Sequence, residues 1–233
     1  MIDLGEILQD DILWQMSAAE KMAILYLLGK LKNKHTAIEI GSYKGGFTRI
    51  LAQHFNKVYS CDIDHSAIIH PEQYGNVLWI EGDSRETVPS LIEQINKTEE
   101  IVNLILIDGD HSYEAVSQDI KNILEYKPLD ETIILVHDSW YPGCRDAINN
   151  ADWNSNPYID YVEKDFVAGD ICGSANGNFL VGGLALIAMS PQKRHGFVRV
   201  EQSQDHMYSV CKQLLETSKD LYEMKAIWKR MVE

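Results

Sequence analysis

The sequence predicts an α/β fold: a doubly wound, mainly parallel, Rossmann-like sheet with an antiparallel edge hairpin and helices at both ends. Two observations predict it. Between Thr36 and Ile148, short apolar runs alternate with amphipathic helical stretches roughly every 25–30 residues, the rhythm of βα units. Beyond Ala151 the rhythm changes to two neighbouring extended runs, the mark of an added hairpin. With 233 residues, 45% of them hydrophobic, the chain can bury one core, and no repeat or linker divides it. One domain is expected: an N-terminal helical segment over 1–35, the sheet core over 36–190 and a C-terminal helical segment over 191–233.

Ser17-Ala-Ala-Glu20 has capping-box spacing and opens a helix whose apolar face carries Ile24, Leu25, Leu28 and Leu31. Thr36–Ile40 reads as the first strand, Gly41–Gly46 as a turn, and Phe47, Ile50, Leu51 and Phe55 as a helix face. Val58–Cys61 is the second strand and Val77–Ile80 the third, followed by a helix marked by Val88, Leu91, Ile92 and Ile95. The run behind Val102, ending at Ile107, is a buried fourth strand, and Tyr113, Val116, Ile120, Ile123 and Leu124 line the next helix, capped by Ser112 or His111. Thr132–Val136 is the fifth strand. Tyr161–Val167 and Phe179–Met189 read as hairpin strands joined by the Gly- and Asp-rich segment Ala168–Asn178. Asp205–Val232 carries Met207, Cys211, Leu214, Leu215, Leu221, Tyr222 and Trp228 at helical spacing, a core stripe or the face of a homo-oligomer.

A formal net charge of −14 repels phosphate backbones and anionic lipid, so neither nucleic acid nor membrane is an expected partner. No apolar run approaches the roughly 18 residues of a membrane span. The acidic start, MIDLGEILQDDILWQM, is unlike a targeting signal. Cys61, Cys144, Cys172 and Cys211 show no C-x-x-C spacing, which fits a reducing, cytoplasmic setting. Cys144 reads as a small buried thiol near a site.

The chemistry gathers at strand ends, where open α/β sheets bind ligands. Asp108-Gly-Asp110-His111 closes the fourth strand and His137-Asp138 the fifth. Asp108, His137 and Asp138 would then share one small volume, a donor set that suits a divalent cation. Glu39-Ile-Gly41-Ser42-Tyr-Lys-Gly45-Gly46 joins strand one to its helix. Its glycines admit a ligand close to the backbone, though the spacing is not G-x-G-x-x-G and such turns often need glycine anyway. Asp62 ends strand two, where an acid can take both ribose hydroxyls, with Asp64 as a solvated neighbour. Asp83, after strand three, offers an acceptor to an adenine amino group. Three acids without a basic clamp suit a nucleoside lacking phosphates. Trp140, Tyr141 and Trp153 could wall a substrate or simply pack beneath a loop.

On these residues the chain resembles class I S-adenosylmethionine-dependent methyltransferases. IDGDHSYE and HDS further resemble the metal-dependent sugar and antibiotic O-methyltransferases and the cephalosporin-hydroxylase-like group, over roughly Ala37 to Ile148. The resemblance implies that Glu39, Gly41, Ser42 and Gly45 hold the methionine part, Asp62 the ribose, and Asp83 and Ser84 the adenine. It also implies Asp108, beside the cofactor, as a metal ligand with His137 and Asp138. His137 stands where related catechol enzymes carry a carboxylate; it is a ligand, or it orients Asp138 from outside. Magnesium is the first expectation, with manganese, iron or zinc admitted by the imidazole.

A sulfonium methyl is already activated, so the enzyme must supply a nucleophile. A cation acidifies and orients a hydroxyl, and a base takes its proton. Asp110 and His111 are the candidate bases. The expected function is O-methylation of a small hydroxylated molecule, a sugar or natural product. The rivals are a non-catalytic cofactor-binding or scaffold protein and a nicotinamide-dependent oxidoreductase.

Overall fold

The computed structural model describes residues 14–68, 70–174 and 177–217. Five parallel strands form the heart of the sheet: β1 (Thr36–Ile40), β2 (Lys57–Asp62), β3 (Val77–Glu81), β4 (Val102–Ile107) and β5 (Thr132–His137). They agree with the five predicted strands to within a residue or two at each end. β6 (Ile159–Val167), β9 (Leu184–Met189) and the short β10 (Arg199–Glu201) complete an eight-stranded sheet of order β10-β6-β9-β5-β4-β1-β2-β3. β9 runs antiparallel to both β5 and β6.

Both faces of the sheet are covered, because residues along the inner strands alternate between two apolar sets. Ile38, Ile40, Ile105, Ile107, Ile134 and Val136 pack on α3 (Ser84–Thr98), α4 (Tyr113–Ile123) and α5 (Pro142–Asn150). Ala37, Leu104, Leu106 and Leu135 pack on α1 (Ala18–Lys30) and α2 (Gly46–His54). Ser17 and Glu20 form the expected capping box on α1, and Ser112, rather than His111, caps α4.

The predicted hairpin is more elaborate than its sequence pattern. Phe179–Met189 is not one strand: Gly182 and Gly183, with φ of 67° and 85°, break it into β8 (Gly177–Val181) and β9. The segment read as a connecting loop contributes β7 (Asp170–Ser174), which pairs with β8 in a separate ribbon. A glycine pair between two apolar runs marks such a break, since both residues must adopt positive φ. Residues 205–217 form α6, as predicted. Leu221, Tyr222 and Trp228 of its predicted stripe lie outside the described residues, as does most of the acidic N-terminal start.

From β1 the chain winds outward through β2 and β3, then crosses back to β4. The carboxyl ends of β1 and β4 therefore face a topological switch point, the place where such sheets bind ligands.

Candidate active site

At the switch point two strand exits nearly touch. Gly41 N–H donates to Cys61 O and Asp108 N–H to Ile40 O, each at 2.8 Å. A Cβ on Gly41, whose φ is +89°, would overlap the Asp108 carbonyl. Only glycine fits there.

Two cavities open on either side of this contact, and both are lined by Gly41, Tyr43, Asp108 and Gly109. The larger, about 680 Å³, is also lined by Asp62, Asp83, Ser84, Arg85 and Asp110. The smaller, about 250 Å³, is also lined by Trp14, Glu39, Ser42, Phe47, His111, His137 and Asp138.

In the larger cavity Asp62 is already at work. Its Oδ2 accepts from Ser42 N–H at 2.7 Å, Ser42 Oγ at 3.1 Å and Tyr43 N–H at 2.9 Å, fixing the glycine loop. Oδ1 accepts only a longer bond from Asp64 N–H, at 3.2 Å, and is the freer oxygen for a ligand. Asp83 caps α3 through Arg85 N–H and pairs with the Arg85 guanidinium, which holds its carboxyl down at about 2. Ser84 begins α3 beside it. Burial raises the carboxyl of Asp119 of α4 to about 6. Gly45 faces neither cavity; it is the N-cap of α2, with φ 77°.

The smaller cavity holds the densest cluster of ionisable groups. His137 Nδ1 lies 2.8 Å from Asp108 Oδ1 and 3.2 Å from Asp138 Oδ2. His111 Nε2 lies 3.0 Å from Asp138 Oδ2 and 3.7 Å from Asp108 Oδ1. Ligand atoms from these four residues all fall within 4.8 Å of one another. Asp138 sits in the left-handed region at φ 54°, and its Oδ1 accepts from Gly182 N–H at 2.5 Å. A non-glycine residue held there is strained, and such strain persists where surrounding contacts over-determine it. Burial opposes the Asp138 charge, yet His111, His137 and the Gly182 N–H together hold the carboxyl far below its ordinary value. Burial likewise opposes charge on His137, but Asp108, Asp138 and Glu20 hold it well above the usual imidazole range. His111 is pushed up to about 9 by Asp108 and Asp138.

The two candidate bases are separated. Asp110 lines the larger cavity, its Oδ1 accepting from Ser112 N–H at 2.6 Å, a bond that holds its carboxyl below the ordinary value. His111, its side chain 46% exposed, lines the smaller cavity beside Tyr141, with ring centroids 5.9 Å apart.

Comparison with known proteins bears on the fold. Residues 38–139 match the model of a methyltransferase domain family. That span runs from β1 to just past Asp138 and contains the strand ends that build both cavities. Over those residues the chain resembles class I, S-adenosylmethionine-dependent methyltransferases. Solved structures support the fold. A Streptococcus thermophilus protein described as a hemolysin aligns with TM-score 0.55 at 13% identity, over 92% of this chain and 79% of its own. A Klebsiella pneumoniae protein described as an O-methyltransferase aligns with TM-score 0.53 at 18% identity, over 78% and 84%. The O-methyltransferase TomG from Streptomyces achromogenes, solved with S-adenosylmethionine, aligns with TM-score 0.52 at 14% identity, over 78% and 83%. No curated protein matches the chain.

The aromatic residues after β5 divide. Trp140 is fully buried, its indole N–H donating to Asp165 Oδ1 at 3.1 Å, so it packs rather than lines a site. Trp153 is buried too, donating to Ile148 O. Tyr141, facing His111, is the one of the three beside the cluster. Cys144 is a buried thiol raised to about 12 by burial, its Sγ 3.7 Å from His111 O.

Three contributors escape sequence reasoning. Glu20, noted only as a helix cap, lies 3.2 Å from His137 Nε2. Gly182 reaches Asp138 from the far side of the sheet hairpin. Arg85 offsets Asp83, so the acidic rim of the larger cavity does carry a cation. Only the Gly182-Gly183 pair leaves a sequence signal, and that signal reads as a turn.

Proposed function

We propose that the chain is an O-methyltransferase that binds S-adenosylmethionine in the larger cavity and a small hydroxylated acceptor, a sugar or natural product, in the smaller. The observation that carries this reading is the shared wall at Gly41, Tyr43, Asp108 and Gly109, where two ligands could meet end to end. Asp62 Oδ1 receives the ribose hydroxyls, and Asp83 and Ser84 face the adenine. Gly41 and Tyr43 of the glycine loop, which line both cavities, would face the methionine end beside Asp108, with Glu39 and Ser42 across the shared wall. A reaction geometry of this kind gains most from holding the two reacting atoms in line.

The donor set of Asp108, His137 and Asp138 fits a divalent cation: two carboxylates and an imidazole converge there, with the His111 imidazole close by. Such a cation supplies the charge that acidifies an acceptor hydroxyl and fixes its oxygen. One or two imidazoles favour manganese, iron or zinc as companions to magnesium. His111 is the candidate base on the acceptor side, because it alone of the two lines the smaller cavity; Asp108 and Asp138 hold its proton in the ion-free site, so it could accept one only once a cation's charge had taken over those carboxylates. Asp110 serves the cofactor side.

Methyl transfer from S-adenosylmethionine to a panel of polyhydroxylated acceptors, with and without chelator, tests the reading. Chelation should stop turnover and leave S-adenosylhomocysteine binding intact. Full activity in metal-stripped protein would remove the cation, and no binding of S-adenosylhomocysteine would remove the cofactor assignment.

A further inference from the structure

Glu20 sits at the third position of α1 and is 2% exposed. A helix-capping carboxylate ordinarily lies at the surface, where its single duty is a backbone N–H. Here one oxygen does that duty: Oε2 accepts from Ser17 N–H at 2.6 Å. The other turns inward. Oε1 accepts from Gly183 N–H at 2.6 Å and lies 3.2 Å from His137 Nε2. The Nε2 contact is an ion pair by distance, although its angle falls short of a hydrogen bond. His137 Nδ1, on the opposite side of the ring, faces Asp108 and Asp138.

We infer that Glu20 is a positioning residue of the site, holding the His137 ring with Nε2 toward α1 so that Nδ1 points at Asp108 and Asp138. A carboxylate facing Nε2 holds a proton there, so a cation at Asp108 and Asp138 would displace the proton on Nδ1 rather than the one on Nε2. Carboxylates that orient a ligating imidazole in this way matter nearly as much as the ligands. The contact to Gly183 fixes Glu20 in turn. That N–H belongs to the turn whose other glycine holds Asp138, so one turn positions both the Glu20 and Asp138 carboxylates. A Cβ on Gly183 would come within 2.7 Å of Ser139 Oγ, so the turn can seat this closely only as glycine. The cation part of this inference rests on the proposed function; the ring orientation does not.

The test uses the full chain with Glu20→Gln and, as a cap control, Ser17→Ala. ¹⁵N shifts of the His137 ring report its protonated nitrogen, and electron paramagnetic resonance reports Mn²⁺ affinity. In the wild type Nε2 should carry a proton. Glu20→Gln should shift the Nε2 resonance and weaken Mn²⁺ binding about 10- to 100-fold, the range for lost orienting partners. S-adenosylhomocysteine affinity should change less than about threefold, within the ordinary context-dependence of a remote change. Ser17→Ala should lower the melting temperature and leave both the ring and Mn²⁺ affinity as in the wild type. If the two variants behave alike and the ring does not change, Glu20 is a helix cap only. A wild-type ring with bare Nε2 overturns the inference without any variant, even if Glu20→Gln fails to fold. If the wild type binds no Mn²⁺ while Glu20→Gln still reorders the ring, the cation reading falls and the positioning role stands.

Discussion

The two cavities share a wall but are built in different ways. The larger is local: Asp62, Asp83 and Asp110 each sit at or just after the strand that delivers them, and Asp83 and Asp110 are fixed by bonds to residues two positions on. The smaller is assembled from a distance. Its His137 faces a carboxylate from α1, and that carboxylate is tied to Gly183, 163 residues away in sequence. The contrast teaches that a cofactor pocket can be written into βα loops, whereas the reacting pocket depends on how the hairpin and first helix close over β5. It also separates two electrostatic designs. The larger cavity holds the carboxyls of Asp83 and Asp110 below their ordinary values through bonds to their neighbours; the smaller packs acids and imidazoles into partly buried contact, where each unpaired charge is costly.

Asp138→Ala should expose that difference most sharply. It removes the carboxylate that contacts both imidazoles and Gly182, so turnover should fall below detection, as with chelation. S-adenosylhomocysteine binding measured by calorimetry should stay within a few-fold of wild type. Parallel loss of both would mean that the cavities are not separable.

The two bases come next. His111→Gln should slow single-turnover methyl transfer by ~10²–10⁴-fold, the usual worth of a general base. Asp110→Asn should cost less than about tenfold and act through cofactor affinity. The reverse ranking would move proton transfer to the larger cavity.

Asp62→Ala should weaken S-adenosylhomocysteine by roughly 1.5–3 kcal/mol, as expected for hydrogen bonds to a charged group. Part of that loss comes from the glycine loop, whose N–H groups Asp62 now holds. Unchanged affinity in a folded variant takes Asp62 out of the site.

A separate effect, on stability rather than on binding or turnover, concerns Glu39, which lines the smaller cavity. Burial raises its carboxyl from 4.5 to about 8, against the bonds it accepts from Thr48 and Ser60. The folded chain therefore binds this proton more tightly than the unfolded one. Its stabilising contribution is complete below pH 4.5 and is lost as pH rises through about 8. Urea unfolding at pH 5 to 8 should show a stability slope of at most about 1.4 kcal/mol per pH unit from this group. Glu39→Gln should flatten it; an equal slope in the variant would place Glu39 ionised throughout.

Much of this was legible in the sequence because it obeys short-range rules. The five parallel strands announce themselves as apolar runs, and their acids follow directly. Ser17-Glu20 and Ser112 cap helices as their spacing says. The antiparallel edge is legible too, but the break within Phe179–Met189 is not, because that run is continuous in hydrophobicity and only the Gly182-Gly183 pair interrupts it. Trp140 could not be sorted between wall and packing, since its partner Asp165 lies on β6. Glu20 was hidden for the same reason: a residue with a satisfying local role gives no sign of a second, distant one.

The most direct measurement is the paramagnetic relaxation of bound S-adenosylmethionine, labelled with ¹³C in the methyl group, on adding Mn²⁺. With the cofactor in the larger cavity and the cation at Asp108, His137 and Asp138, the methyl signal should broaden strongly and the adenine protons far less. That gradient should vanish in Asp138→Ala. A methyl signal left sharp with Mn²⁺ and cofactor both bound, or an adenine broadened as much as the methyl, would contradict the two-cavity arrangement.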